Sequence, residues 1–178
     1  KAEGGLADSI VDLQVVRERA HVYGGVGGPS TSPPYKGLAR FDVDDAEWFF
    51  GRERVVAEMV SRMAGARLLG VVGASGSGKS SAVRAGLVGT LTSGMLPRSG
   101  ELIVALMRPG EHPQRALDRA IWAAAPDALR EQLPGDEGLL GTLPDRLTGD
   151  QRLVLVVDQF EELFTTCTDE DERAAFVE

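Results

Sequence analysis

The order of apolar segments predicts an α/β fold built on a mostly parallel sheet. Three short apolar runs, at residues 68–72, 102–107 and 153–157, have the length and composition of buried strands. Amphipathic helical patterns separate these runs, and strands that alternate with helices form parallel sheets. A glycine-rich loop, residues 73–78, directly follows the first run. The sequence therefore predicts a loop at the edge of the sheet where ligands of such folds bind.

The composition is that of a globular domain, and it suits a reducing compartment. The chain has 178 residues, 43% hydrophobic and 26% charged, enough for one domain with a sizeable core plus an appendage. Its net charge of -8 argues against direct nucleic-acid binding, since phosphate backbones attract basic surfaces. The one cysteine, Cys167, excludes an intrachain disulfide, and we expect it to be buried. No apolar run approaches the ~18 residues of a membrane span, so we expect a cytoplasmic protein without a membrane partner.

The first 34 residues are predicted to be separate from the main domain. An amphipathic repeat from Leu6 to Ala20 predicts a helix, and the stretch from Gly24 to Pro34 has the composition of a flexible linker. The helix belongs to a preceding domain or docks on the main one. Residues 35–178 are predicted to form the main domain. We expect that domain to be C-terminally incomplete, because the sequence stops inside a predicted helix.

Four helices are predicted within the main domain. A stripe of Val and Met predicts one over residues 52–64, and a second follows the glycine-rich loop. Pro113 is suited to the first turn of a third helix. The acidic residues 168–172 are typical of the first turn of a fourth. Residues 125–149, rich in Pro, Gly and charge, give no clear assignment.

The glycine-rich loop begins a complete phosphate-binding motif. Residues 73–80 are G-A-S-G-S-G-K-S and match the Walker A pattern G-x-x-x-x-G-K-S/T. The glycines let successive N–H groups turn toward a phosphate, Lys79 supplies positive charge to the β and γ oxygens, and Ser80 offers a hydroxyl to Mg²⁺. We predict that ATP or ADP binds here with Mg²⁺. The predicted contacts are Gly73, Ser75, Gly76, Ser77, Gly78, Lys79, Ser80 and Ser81.

A second candidate segment follows the third predicted strand. Four apolar residues ending in Asp158 match the Walker B pattern, and a buried strand would deliver this carboxylate to the ligand-binding edge of the sheet. Asp158 is predicted to orient Mg²⁺ opposite Ser80; a turn-forming Asp is the alternative. Glu161 or Glu162 can polarise the attacking water as general base, or both are solvated charges. Arg108, after the second strand, either points toward the phosphates or solvates the strand end.

Two aromatic residues and an arginine precede the first predicted strand, in the run F-F-G-R-E at residues 49–53. The rings of Phe49 and Phe50 can shield a nucleotide base from water. Gly51 then forms a tight turn, and Arg52 can reach the phosphate or the ribose. An aromatic core before a helix N-terminus is the alternative. His21 and His112 are far apart in sequence and near no cluster of metal-ligating residues, so no separate metal site is predicted.

Taken together, these segments resemble the bacterial branch of the STAND NTPases, signal-transducing ATPases with numerous domains that are related to NOD-like receptors. The resemblance implies a three-layer P-loop fold of the AAA-like (ASCE) type. It implies that Phe50, Gly51 and Arg52 lie against the base and that Glu161 and Glu162 form a second acidic pair. The segments that carry it, in chain order, are Y-K-G-L at 35–38, D-A-E-W-F-F-G-R-E at 45–53, residues 73–80, R-P-G at 108–110 and D-Q-F-E-E-L-F at 158–164. Val55 departs from the family pattern, which often has an acid there.

The resemblance also implies a function. Family members are regulatory switches in signalling or transcription control; they hold ADP when off, exchange it on assembly into oligomers, and carry an effector domain before the NTPase and a winged-helix lid and repeats after it. Slow ATP hydrolysis is expected. One alternative is a metabolic phosphotransferase, which needs an Arg-bearing lid; residues 125–149 contain only Arg130 and Arg146. Another is a nucleotide-gated regulator that hardly hydrolyses ATP. A small GTPase is excluded, because the N-K-x-D segment needs Asn and the chain has none.

Overall fold

A computed structural model describes residues 36–37, 39–93, 102–133, 135 and 138–177. The chain divides into two compact units, Lys1–Arg98 and Ser99–Glu178. The predicted N-terminal helix and linker lie outside the described residues, so the boundary after residue 34 stays a prediction. In the part of the chain that the structure describes, no helix is long and apolar enough to cross a membrane.

The first unit is helical where it is described. A 3-10 helix, Val43–Trp48, precedes α1, Glu53–Gly65. The prediction of a helix at residues 52–64 is thus confirmed, and its stripe of Val and Met residues contributes to the core. The helix after the glycine-rich loop, α2, covers residues 79–92 in three continuous segments: α-helical Lys79–Ser81, π-helical Ala82–Val88 and α-helical Gly89–Thr92.

Two glycines allow α2 to pack closely against the elements before it. A Cβ atom on Gly86 would lie 2.4 Å from Val56 Cγ2 on α1 and 3.2 Å from Phe49 Cε1. A Cβ on Gly89 would lie 2.8 Å from Ala46 Cβ in the 3-10 helix. Contacts below 3.0 Å are essentially never seen for real Cβ atoms. The missing side chains therefore set how closely these helices approach.

Residues 68–72 do not form the predicted buried strand. Residues 68–74 have no regular secondary structure, and Leu68 and Val72 are 87% and 95% exposed. A strand needs a neighbour that pairs with its backbone N–H and C=O groups, and the described residues of the first unit include no other strand. The prediction is therefore wrong for this structure: the apolar pattern is present, but the described residues of its unit offer no strand to pair with.

The second unit contains a parallel sheet of two strands in its described residues. Strands β1, Leu102–Met107, and β2, Arg152–Val157, pair so that Met107 lies opposite Val157. The second and third predicted strands are thereby confirmed. Helix α3, Pro113–Ala124, has Pro113 in its first turn as predicted and packs against β1.

The segment that the sequence left unassigned folds into short helices in the second unit. They are α4, Asp127–Arg130, α5, Leu139–Thr142, and a 3-10 helix, Leu143–Asp145. The buried carboxylate of Asp118 on α3 accepts hydrogen bonds from Gly138 N at 2.9 Å and Leu139 N at 2.8 Å. It thereby satisfies backbone donors at the start of α5, which have no partner within the helix.

The chain after β2 completes the second unit. Helices α6, Glu162–Thr165, and α7, Glu170–Val177, follow. The predicted acidic first turn is confirmed in α7, and Cys167 is buried as expected. The architecture is therefore mixed helix and parallel sheet. Because the described sheet has two strands, the three-layer arrangement stays a prediction.

Candidate functional site

The glycine-rich loop turns tightly into the start of α2. Gly76 and Gly78 have φ angles of 74° and 84°, left-handed conformations that glycine adopts without steric cost. Ser77 N donates to Ala74 O at 3.2 Å within the turn. Because α2 begins at Lys79, the backbone N–H groups of its first turn point back toward the loop.

The Lys79 side chain folds over this loop. Its Nζ donates to Gly73 O at 2.7 Å and to Ala74 O at 2.9 Å. An ammonium group has three N–H donors, and among the described residues Lys79 uses two of them in these contacts with the loop. Residues 73–78 are exposed. Positive charge and helix N-terminal N–H groups on an accessible loop are the chemistry that binds a phosphate.

Arg52 connects the segment before α1 with the glycine-rich loop. Its guanidinium Nη2 donates to Ser77 O at 3.3 Å. Its backbone carbonyl accepts from Val55 N at 2.9 Å and Val56 N at 3.0 Å at the start of α1. The structure therefore brings one residue of the F-F-G-R-E run to the loop.

The other residues of that run differ in exposure. Phe49 lies close to the position where Gly86 lacks a side chain, and its ring lies 5.8 Å from that of Phe41. Phe50 is exposed, and Gly51 has a φ of 82°. Packing before a helix thus accounts for Phe49. Contact of Phe50, Gly51 or Arg52 with a nucleotide base stays a prediction.

The two serines after Lys79 lie in the first turn of α2. Ser81 Oγ accepts a hydrogen bond from Phe41 N at 3.1 Å, which ties residue 41 to the helix. Ser80 is half-buried. Their predicted contacts, Ser80 with Mg²⁺ and Ser81 with nucleotide, stay predictions.

A network of charged residues that the sequence did not predict holds the 3-10 helix against α2. Arg84 is 8% exposed, and its Nη1 donates to both carboxylate oxygens of Asp42, at 3.0 and 2.9 Å. Asp45 pairs with Lys36 and accepts from Asp42 N at 2.7 Å. The hydrogen bond from Lys36, followed by that from the Asp42 N–H, holds the pKa of Asp45 below its usual range.

Part of this network could have been predicted from a local sequence pattern. Asp42 and Asp45 form a capping box at the start of the 3-10 helix, and an N-cap Asp followed three residues later by an acid resembles the usual capping pattern. The pair with Arg84 had no such signal, since it spans 42 residues.

At the carboxyl ends of β1 and β2, Arg108 and Asp158 lie side by side. Because Met107 pairs with Val157, the next residues along both strands are 108 and 158. Asp158 N donates to Met107 O at 2.9 Å and extends the ladder. Asp158 is 7% exposed, and its Oδ2 lies 3.6 Å from Arg108 Nε. Arg108 thus pairs with the acid at the strand end.

The turn after Asp158 contains an uncommon backbone conformation. Gln159 has a φ of 58°, in the left-handed region that few residues other than glycine occupy. Its carbonyl accepts from Glu162 N at 2.9 Å, and Glu162 begins α6. Glu161 is exposed and Glu162 half-buried. The turn places the two acids three and four residues after Asp158, and their role in orienting water stays a prediction.

Two side chains that the sequence predicts to contact Mg²⁺ carry oxygen donors, which this ion prefers. Over the described ranges, no group of three or more His, Cys, Asp or Glu side chains could hold a metal. Proteins usually hold Mg²⁺ through one or two side-chain oxygens together with phosphates and waters. The hydroxyl of Ser80, in the first unit, and the carboxylate of Asp158, in the second, are hard oxygen donors of this kind.

The family comparison agrees with the resemblance seen in the sequence. Residues 34–178 match the family model of a STAND NTPase, so the chain belongs to the STAND class of NTPases. Within that class, the family is Novel STAND NTPase 1. No curated protein and no solved structure matches the chain. Membership of this family implies a nucleotide ligand.

Proposed function

We propose that this chain is the ATP/ADP-binding switch domain of a multidomain bacterial signalling or transcription-regulating protein. The observation that carries the proposal is the Lys79 ammonium group, which lies 2.7 and 2.9 Å from two carbonyls of the glycine-rich loop at the start of α2. Membership of a STAND NTPase family supports the same chemistry.

In the proposed site, residues 73–81 bind the phosphates. The left-handed Gly76 and Gly78 direct backbone N–H groups inward, and Lys79 donates to the β and γ oxygens. Arg52 supports the loop through its bond to Ser77 O. Phe50 and Gly51 lie beside the base.

Two oxygen donors would hold Mg²⁺ beside the phosphates. Ser80 contributes its hydroxyl, and Asp158 orients the hydration shell through its carboxylate. When bound, Mg²⁺ neutralises part of the phosphate charge. Glu161 or Glu162 accepts a hydrogen bond from the attacking water and acts as general base.

Hydrolysis by this chain alone is slow in our proposal. An arginine finger is worth about 10³–10⁵ in rate, or about 4–7 kcal/mol of transition-state stabilisation. Arg52, which lies beside the glycine-rich loop, already donates to Ser77 O. Ground-state binding depends less on such a residue, because the loop contacts remain.

The proposed partners are other domains and other copies of the protein. As the family resemblance implies, an effector domain precedes the NTPase, a winged-helix lid and repeats follow it, and nucleotide exchange accompanies assembly into a homo-oligomer. We place the protein in the cytoplasm. The net charge of -8 disfavours direct nucleic-acid binding by this segment.

Calorimetric titration of ADP into the wild type and Lys79→Ala tests the proposal. Loss of a charge-assisted phosphate contact, worth about 1.5–3 kcal/mol, should weaken binding roughly tenfold to a hundredfold. Arg62→Ala is a charge-matched control, since Arg62 forms an exposed pair with Glu58 on α1. It should bind ADP as the wild type does. Equal affinities for Lys79→Ala and the wild type would refute the proposed site.

A further inference from the structure

We infer that Arg108 is a positioning residue that occupies the Asp158 carboxylate when Mg²⁺ is absent and competes with Mg²⁺ for it. This inference rests on the proposed function, which assigns Asp158 to the metal. It adds a residue that sets how strongly nucleotide binding depends on the metal.

The backbone on both sides of the pair is fixed. Asp158 is held by the hydrogen bond from its N–H to Met107 O, at 2.9 Å. Arg108 precedes Pro109, and a residue before proline is restricted to extended conformations, so it continues the direction of β1. Pro109 itself is fully buried. The register of the sheet therefore delivers the two opposite charges to the same edge.

The contact between the side chains is electrostatic. Arg108 Nε lies 3.6 Å from Asp158 Oδ2, beyond hydrogen-bond distance, and this buried nitrogen has no hydrogen-bond partner among the described residues. A carboxylate that is only 7% exposed needs a compensating charge, and Arg108 supplies one. Because no hydrogen bond joins Nε to the carboxylate, a divalent cation can displace this contact.

Competition follows from the shared carboxylate. The guanidinium stabilises the metal-free form by its attraction to Asp158, and it opposes a second cation at the same oxygen atoms. Removing the charge of Arg108 should therefore leave the metal-free form less stable and make Mg²⁺ bind more tightly. A purely structural Arg108 would affect both forms equally.

The test is ADP calorimetry across a Mg²⁺ series that begins in EDTA, with the wild type, Arg108→Gln and Arg108→Lys. Added Mg²⁺ should raise the ADP affinity, and the Mg²⁺ concentration at half of this increase is the midpoint. In Arg108→Gln, the midpoint should be lower than in the wild type by on the order of tenfold, which is within the usual range of coupling between sites. Arg108→Lys keeps the charge and should restore the wild-type curve. Arg119→Gln removes the same charge from an exposed position on α3 and should match the wild type.

Thermal unfolding of the same proteins distinguishes a positioning role of Arg108 from a purely structural one. Arg108→Gln should unfold at a lower temperature than the wild type in EDTA and gain more than the wild type from added Mg²⁺ with ADP. An equal loss in both conditions, or an unchanged or weaker response to Mg²⁺, overturns the inference.

The wild-type curve keeps the two proposals distinguishable. A wild type that does not bind ADP refutes the proposed function and the inference with it. A wild type that binds ADP independently of Mg²⁺ refutes the metal role of Asp158, and the inference with it, but leaves the proposed phosphate site standing. A wild type that responds to Mg²⁺, beside an Arg108→Gln variant with the same curve, refutes the inference alone.

Discussion

Gly86→Ala perturbs the packing of the helix that begins at Lys79. The added Cβ would lie 2.4 Å from Val56 Cγ2 and 3.2 Å from Phe49 Cε1. Val56 is a buried residue of α1, so its methyl group has little room to move. Either α2 moves away from α1, or the side chains of Val56 and Phe49 leave their preferred rotamers.

The expected loss of stability follows from two opposing terms. Overpacking of a core costs about 1–3 kcal/mol, and a clash this short lies at the upper end of that range. Replacing Gly by Ala in a helix raises the free energy of unfolding by up to about 1 kcal/mol. The net loss is about 2 kcal/mol, which lowers Tm by about 4–8 °C for a chain of this size.

Tryptophan fluorescence can follow this loss in the first unit. The chain has two tryptophans, Trp48 in the first unit and Trp122 in the second. Thermal unfolding in a Trp122→Phe background therefore reports on Trp48. Gly70→Ala, in the same unit, where an added Cβ meets nothing within 4 Å, is the control and should not lower Tm.

A double-mutant cycle with Val56→Ala identifies the clash as the cause. Val56→Ala removes the methyl group that the new Cβ would meet, so the double variant should lose less stability than the sum of the single variants. Additive losses, or a Gly86→Ala variant as stable as the wild type, would refute the packing argument.

Three further predictions concern the site and its support. Asp158→Asn should weaken ADP binding in Mg²⁺ more than in EDTA, by calorimetry; an equal loss in both would make the residue structural. The isolated chain should release phosphate from ATP more slowly than about 1 per second, the lower end for kinases, and several turnovers per second without a partner would favour the phosphotransferase. The hydrogen bond from Lys36 lowers the pKa of Asp45, so its contribution to stability is present above the ordinary value of 3.8 and is lost as pH falls through the lowered pKa. When Tm is measured as pH is lowered below about 4, Asp45→Asn should therefore lose less Tm than the wild type does. Asp44→Asn, a variant of the exposed neighbour, is the control and should lose as much Tm as the wild type. Equal losses in Asp45→Asn and the wild type would contradict the assignment.

The strands and long helices could be predicted because their signals are local. A continuous apolar run marks β1 and β2, and apolar spacing marks α1 and α3. The run at 68–72 has the same local signal and still forms no strand. Strand formation requires a second chain segment to supply hydrogen bonds, and no composition of five residues guarantees one.

The candidate phosphate loop was also predictable, because its chemistry lies within eight consecutive residues. The spacing of the glycines, Lys79 and Ser80 can be read directly from the sequence, and so can Asp158, the acid that follows β2. The sequence alone therefore determined the residue types that carry the proposed chemistry and the family to which they belong.

Only the tertiary structure decided which distant residues meet. The pair of Arg84 with Asp42 spans 42 residues, and the bond from Leu139 N to Asp118 spans 21. Arg108 meets Asp158 because β1 and β2 align Met107 with Val157. Such contacts depend on strand register and helix packing, which are properties of the folded chain, since a local pattern states what a residue can bind but not which partner the fold brings to it.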